Sequence, residues 1–351
     1  MQEIKVNLAE RAYSVFIGDL PKLKFENKVA IVTNQKVGGL HLKTLLSRLE
    51  APEIFTVSVP DGERYKNLTT IEAILEQLFV SRLSRKDALI ALGGGVVSDM
   101  TGFAASIYER GIDFINIPTT LLSQVDASVG GKTGVNNRFG KNLVGTFFQP
   151  RAVYCDPAFL ATLPPREFRA GLAEVVKIAA TFDAEFFAFL ESCDLTNPEH
   201  IHKIIAKCVE IKARVVELDE REGGLRAALN YGHTFAHVIE NETNYDKFLH
   251  GEAVAMGICM ANDLAVSLGD LDKKSAERIK NLLIKFELPT RYEIADAARF
   301  YDAFTLDKKS AGGKIKFILT GGKIGSHLSK SDVSRELVLD VLRGYQKGGA
   351  K

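Results

Sequence analysis

Ala88-Leu89-Ile90-Ala91-Leu92-Gly93-Gly94-Gly95-Val96-Val97-Ser98-Asp99 decides the fold class of this chain. An unbroken apolar run ending in three glycines predicts a strand buried on both faces that turns directly into a helix. Glycines at such a turn let the backbone approach a pyrophosphate, and the helix N-terminus favours negative charge. The G-x-G-x-x-G pattern is incomplete, because Ser98 fills its last position. The competing reading is a tight turn with Asp99 as helix cap. Placement directly after a strand favours nucleotide binding.

The same alternation extends outward. Val29–Thr33, Ile54–Val59 and Phe114–Ile117 read as further buried strands. Apolar residues at helical spacing fall between them, at Leu42, Leu45, Leu46 and Leu49 and again at Ile71, Ile74, Leu75 and Leu78. Strands alternating with helices predict parallel β-α-β units. Ile4–Leu8 and Tyr13–Ile17 read as a hairpin at the edge. From Pro164 to about Phe304 the pattern turns helical, with helices expected at Arg166–Thr181, Ala184–Glu191, Ile201–Leu218, Arg226–Glu242, Glu252–Leu268, Ser275–Phe286 and Ile294–Phe304. Ile315–Leu319 reads as a late strand. The domain boundary is expected near Pro157–Pro164.

Composition excludes several classes. The 351 residues carry 45 Lys and Arg against 44 Asp and Glu, a net charge of +1, so a basic nucleic-acid-binding surface is not expected. A hydrophobic fraction of 46% supplies a core and excludes disorder as the main state. Ala253–Ala261, a wholly apolar run, is far too short to span a bilayer. The start, Met1-Gln2-Glu3-Ile4-Lys5, lacks the pattern of a signal peptide. Cys155, Cys193, Cys208 and Cys259 are scattered, which predicts reduced thiols in the cytoplasm and leaves His and carboxylate as the ligands for any metal.

Three of the seven histidines fall within one stretch. Asn230-Tyr231-Gly232-His233-Thr234-Phe235-Ala236-His237 sets two at i and i+4 on a helix face, and Leu249-His250-Gly251-Glu252 adds a third at a helix start. Glu174 and Lys177 share a helix face upstream. Three of His233, His237, His250 and Glu174 could form a His₂-carboxylate site with an open position; spacing leaves the choice open. Arg226, two helical turns before His233, is expected on the same face. Lys132, in Gly130-Gly131-Lys132-Thr133, and Lys141, in Gly140-Lys141-Asn142, are read as anion-binding cations in glycine-bearing loops. Together these parts describe a metal-dependent, NAD-linked enzyme acting on a small anionic polyol.

The motifs reach further than that. The glycine turn, Pro118–Asp126, Gly130–Thr133, Gly140–Asn142, Gly171-Leu172-Ala173-Glu174-Val175-Val176-Lys177, Asn230–His237 and His250-Gly251-Glu252-Ala253-Val254 resemble, in order, those of 3-dehydroquinate synthase, a sugar-phosphate cyclase. The resemblance implies conversion of 3-deoxy-D-arabino-heptulosonate 7-phosphate to 3-dehydroquinate and phosphate in the shikimate pathway, with catalytic NAD and a divalent metal, zinc or cobalt. It implies an α/β fold with an N-terminal Rossmann-like parallel-sheet domain at 1–160, a mainly α-helical metal- and substrate-binding domain at 161–351, a site between them, and a homodimer.

By the same likeness the metal ligands are Glu174, His233 and His250. NAD is expected along Asp61, Gly62, Glu63, Arg64, Tyr65 and Lys66, then Gly94, Gly95, Val96, Val97, Ser98 and Asp99, then Thr119, Thr120, Lys132 and Lys141, and Phe159, Leu160, Ala161 and Thr162. Lys132, Lys177, Arg226, Asn230 and His237 are expected as catalytic residues. Asp126, Asn142 and Lys212 are expected to bind substrate, with Lys308 or Lys309 and with Arg110 reaching in from a second subunit. The chain departs from the family's commonest residues at Ser98, Gly134 and Tyr231. The rival readings are another cyclase such as 2-deoxy-scyllo-inosose synthase, a metal-dependent polyol dehydrogenase, and a non-catalytic metabolite-binding protein.

Overall fold

A computed structural model describes residues 1–307 and 315–347, so Lys308 and Lys309 lie outside the described residues. The chain divides into two compact units, one of Met1–Pro164 with Leu195–Arg221, the other of Pro165–Asp194 with the chain from Glu222 onward. The division at Pro164 lies within the stretch read as a boundary. The segment Leu195–Arg221, read as part of 161–351, packs with the first unit instead. Its helix carries a long apolar stripe, Ile204, Ile205, Cys208, Val209 and Val216, all buried.

In the first unit, strands β1 (Gln2–Val6), β2 (Tyr13–Ile17), β3 (Leu23–Lys24), β4 (Val29–Asn34), β5 (Leu49–Glu50), β6 (Ile54–Val59), β7 (Ala88–Gly93), β8 (Asp113–Pro118), β9 (Lys132–Asn137), β10 (Gly140–Phe147) and β11 (Ala152–Cys155) accompany helices α1 (Gln35–Leu46), α2 (Leu68–Val80) and α3 (Gly95–Ile107). The main sheet runs β1-β2-β11-β8-β7-β4-β6, parallel except for the β1–β2 hairpin. β4 and β7 are buried at every position, as an apolar run in a covered parallel sheet must be. Successive residues serve opposite faces: Ala30 and Val32 pack with Ile71, Ile74 and Met100, whereas Val29 and Ile31 pack with Leu45, Ile117 and Phe159. This is a doubly wound sheet. From β4 the chain crosses to β6 on one side; from β7 it crosses to β8 on the other. The carboxyl ends of β4 and β7 therefore flank the topological switch point, where such sheets bind ligands.

Two local readings are corrected. Lys132, Lys141 and Asn142 do not sit in loops: they lie on the antiparallel ribbon of β9 and β10. Thr133, Gly134 and Val135 are buried in that ribbon, and Gly134 serves strand packing, since a Cβ there would meet the Val144 carbonyl at 2.6 Å. Asp99 does not cap α3. Gly94 holds the cap position, Asp99 lies inside the helix, and Ser98, one turn in, gives its hydroxyl to the carbonyls of Gly94 and Gly95.

The second unit contains α4 (Pro165–Phe182), α5 (Ala184–Ser192), α7 (His233–Glu242), α8 (His250–Ser267), α9 (Lys273–Lys285), α10 (Ala297–Asp307) and α11 (Arg335–Arg343), with an antiparallel pair β12 (Phe317–Thr320) and β13 (His327–Lys330). The segment Pro198–Leu218, packed with the first unit, is α6. The helix expected at Arg226–Glu242 is broken. A 3₁₀ turn covers Leu225–Asn230, and Gly232 then adopts φ +80° before α7 begins, so the expected shared face of Arg226 and His233 does not exist. The break follows from close packing of α7 on α8. A methyl on Gly257 would overlap the Gly232 carbonyl and lie 2.9 Å from the Ala236 nitrogen. Gly257→Ala should therefore lower unfolding free energy by about 1–3 kcal/mol, the usual range for overpacking. A urea midpoint equal to that of the parent chain would contradict this packing account.

Candidate functional site

Three helices of the second unit bring one group of side chains together. Glu174 and Lys177 lie one turn apart in α4, whose residues Ala170–Thr181 are continuously buried. Their charged ends are in contact, and both side chains are almost fully buried. His233 and His250 open α7 and α8. Each directs Nε2 toward Glu174 Oε1, at 3.7 and 3.6 Å. The ligating atoms of Glu174, His233 and His250 all lie within 4.8 Å of one another. His237 stands one turn along α7, its ring 5.6 Å from His233 and outside that convergent trio. Of the four candidates left open by spacing, the geometry assembles these three.

The imidazoles are oriented from behind. His233 Nδ1 lies 3.2 Å from the Tyr231 carbonyl, and His250 Nδ1 lies 3.1 Å from Glu240 Oε1. An oxygen acceptor on Nδ1 places the ring proton there and leaves the Nε2 lone pair facing Glu174. Burial, reinforced by the neighbouring Lys177 and the other two histidines, pushes the His233 pKa well below its usual value. The ring is thus a neutral lone-pair donor. Two imidazoles with Nε2 turned toward one buried carboxylate are the ligand chemistry of a catalytic divalent site.

The start of α8 is fixed by Glu252, which accepts the Leu249 N–H and a bidentate contact from Arg166. Arg226 is 1% exposed, and a guanidinium is almost never so fully buried unless it is paired. Asn230 donates to Glu222 at 2.7 Å.

A second group lies at the switch point of the first unit. Gly94 is needed where α3 starts, since a Cβ there would meet Thr120 at 2.9 Å. Asp61 accepts from Asn34 at 2.8 Å, Glu63 accepts from Asn136 at 2.8 Å, and Lys66 donates to Asp99 and to Asn142, each at 2.6 Å. Asn142, expected among substrate residues, is therefore joined to Lys66 within the expected NAD set. Burial alone would lower the Lys66 pKa, but Asp99 and Glu63 raise it, so the ammonium stays charged. Thr162 and His41 are hydrogen-bonded at 2.8 Å. Lys212 contacts the carboxylate and the carbonyl of Asp126. Lys132 is exposed at the start of β9, and Ser98, Asp99 and Lys132 border one small recess. Arg110 is exposed on a left-handed turn after α3, at φ +69°.

Residues 56–170 match the family described as 3-dehydroquinate synthase N-terminal, and residues 171–310 the family described as 3-dehydroquinate synthase C-terminal. The 3-dehydroquinate synthase of Campylobacter fetus subsp. fetus is 64% identical over 98% of this chain and 99% of its own length. The chain belongs to the 3-dehydroquinate synthase family. Another member, from Wolinella succinogenes, is 58% identical over 98% of this chain and 99% of its own length. Among solved structures, ValA, a 2-epi-5-epi-valiolone synthase from Streptomyces hygroscopicus subsp. jinggangensis with NAD⁺ and Zn²⁺ bound, has a TM-score of 0.85 at 27% identity, covering 94% of this chain and 95% of that one. A 2-deoxy-scyllo-inosose synthase complexed with carbaglucose-6-phosphate, NAD⁺ and Co²⁺ also has a TM-score of 0.85, at 25% identity over 98% of this chain and 100% of that one. The rival cyclase is thus a distant structural neighbour of a chain whose sequence places it in the 3-dehydroquinate synthase family.

The sequence reading did not single out Asn34, His41 or Glu240. Asn34 was legible as the last residue of a central strand at the switch point. Glu240 was legible as lying two turns from His233 on α7. His41 carried no signal of its own, because its partner Thr162 is distant in the chain. Burial lowers the His41 pKa from its usual 6.5. As pH falls, the unfolded chain takes the proton first, so His41's contribution to stability is complete above about pH 6.5 and is lost below it. The urea midpoint should drop more between about pH 7.5 and about pH 5.5 in the parent chain than in His41→Gln. Equal drops would remove His41 from the acid sensitivity.

Proposed function

We propose that this chain acts as a 3-dehydroquinate synthase, a carbon–oxygen lyase that converts 3-deoxy-D-arabino-heptulosonate 7-phosphate to 3-dehydroquinate and phosphate. The observation that carries the reading is the convergence of Glu174, His233 and His250 beside Lys177, in a chain 64% identical to a 3-dehydroquinate synthase. The reaction oxidises one carbinol of the substrate, eliminates phosphate, reduces the ketone and closes the ring by an intramolecular aldol step. It belongs to the shikimate pathway, toward chorismate and the aromatic amino acids.

Glu174, His233 and His250 would hold the divalent metal, with zinc the first choice and cobalt an alternative. NAD would lie along Asp61–Lys66, Gly94–Asp99, Thr119, Thr120, Lys141 and Phe159–Thr162. When bound, NAD supplies hydride exchange and the metal supplies Lewis acidity toward substrate oxygens. The rest falls to side chains. Lys177 sets its ammonium against Glu174 and offers a positive charge where an alkoxide or enolate oxygen develops. Arg226 and Lys132 bind the anionic ends of the substrate, Arg226 with the fork suited to a carboxylate. Asn230, held by Glu222, orients a hydroxyl, and His237 orients another and can move its proton. Lys212, fixed by Asp126, adds a positioned cation. Several steps need only a held geometry, and pre-organised side chains supply that.

We place the enzyme in the cytoplasm, where buried thiols such as Cys155 and Cys208 stay reduced. We read it as a homodimer, with the exposed Arg110 serving the neighbouring subunit's site. Among the described residues no helix is long and apolar enough to cross a membrane.

Purified protein given catalytic NAD⁺, Zn²⁺ and the heptulosonate phosphate should release phosphate and form dehydroquinate with no lasting NADH absorbance. Steady NADH accumulation on polyols would instead mark a dehydrogenase, and turnover only of other sugar phosphates a different cyclase. His250→Ala should abolish metal-dependent phosphate release; undiminished release would remove His250 from the ligand set.

A further inference from the structure

We propose that Glu240 is a positioning residue of the metal site: its buried carboxylate holds the His250 imidazole with Nε2 turned toward Glu174 and His233. The inference rests on the reading that these three residues bind the metal. Glu240 lies near the end of α7 and is 2% exposed. Burying a carboxylate is costly unless a donor meets it, and the Nδ1–H of His250 does so at 3.1 Å. A ring whose Nδ1 proton is given to a carboxylate presents a bare Nε2, here 3.6 Å from Glu174 Oε1.

The two histidines are anchored differently. His233, whose side chain is 12% exposed, opens α7 and leans on the Tyr231 backbone carbonyl. No side-chain substitution deletes that acceptor. The His250 side chain is 32% exposed, the most of the three, and its anchor is a side chain. The chain is bent to make the contact. After α7 it passes through Asn244 and Tyr245, both in the left-handed region at φ +51° and +60°. Tyr245 N–H bonds back to the Glu240 carbonyl at 2.8 Å and Asn244 N–H to Asn241 at 3.0 Å. Left-handed backbone at two consecutive non-glycine residues is unfavourable and persists where the surroundings enforce it. Here it reverses the chain, so that α8 starts with His250 against Glu240.

The test is Zn²⁺ titration of metal-stripped protein by chelator competition. The parent chain should bind one Zn²⁺, and His250→Ala should bind far more weakly. A parent chain without a Zn²⁺ site would refute the metal reading itself, separately from this proposal. Glu240→Ala should weaken Zn²⁺ binding about 10–100-fold, as loss of a ligand's hydrogen-bond partner does. Its far-UV circular dichroism and NAD affinity should be unchanged. Glu240→Gln keeps an oxygen that accepts the Nδ1 proton and should recover most of the affinity. Parent-like Zn²⁺ affinity in Glu240→Ala, or equal weakness in the Ala and Gln variants, would overturn the proposal. A readout independent of any variant is the His250 tautomer in the metal-free parent chain, by ¹⁵N NMR. Nδ1 protonation supports the assignment, and Nε2 protonation overturns it.

Discussion

Helices α7 and α8 approach so closely that the carbonyl of Gly232 occupies the space a methyl on Gly257 would need. The geometry of the second unit's site follows from that approach. Gly232 can take φ +80°, so the 3₁₀ turn before it stops and α7 begins at His233 with its Nδ1 over the Tyr231 carbonyl. The same contact lays the first turn of α8 beside α7, and both first turns present an imidazole to one carboxylate. Tyr231 adds a further tie, because its buried hydroxyl donates to Asn262 in α8.

Buried charge is the second theme. Lys177, Glu174 and Arg226 are among the least exposed side chains of the second unit. Buried ion pairs stabilise little, because desolvation offsets much of the attraction. A fold selected for stability alone would do as well with apolar residues in α4. The charges are better understood as a pre-formed electrostatic environment, set before a ligand arrives and so requiring little reorganisation during reaction. The first unit is built on the same principle, with Lys66 bonded to Asp99 and Asn142 at the sheet's carboxyl edge.

Most of the α/β layout was legible because local chemistry dictated it. Val29–Thr33 and Ala88–Leu92 are too apolar to be anything but covered strands, and a glycine turn after a strand has few uses. Glu174, His233 and His250 were visible as candidates by type and spacing, yet spacing could not choose them over His237, because i and i+4 on a helix say nothing of what faces that helix; only the family likeness made that choice, and in the structure these same three converge. The readings that failed were those decided by distant contacts. Lys132 and Asn142 looked like loop residues until β9 and β10 paired. Arg226 looked helical until the demands of α8 on Gly232 broke the helix. The apolar stripe of α6 announced burial without saying against what, and it packs on β1 and on the turn at Ser123–Ala127.

That last feature bears on how the protein is made. The first unit is discontinuous: after residue 164 the chain departs, builds α4 and α5, and returns with α6. A ribosome that has delivered only the first 164 residues has delivered a sheet whose β1–β2 hairpin still lacks its covering helix. The nascent chain must carry that apolar surface until Arg221 has emerged, some 57 codons later at ordinary synthesis speed on the order of 5–20 residues per second. For those few seconds that surface has no covering helix, and the length of the interval is set by the order in which the gene is read.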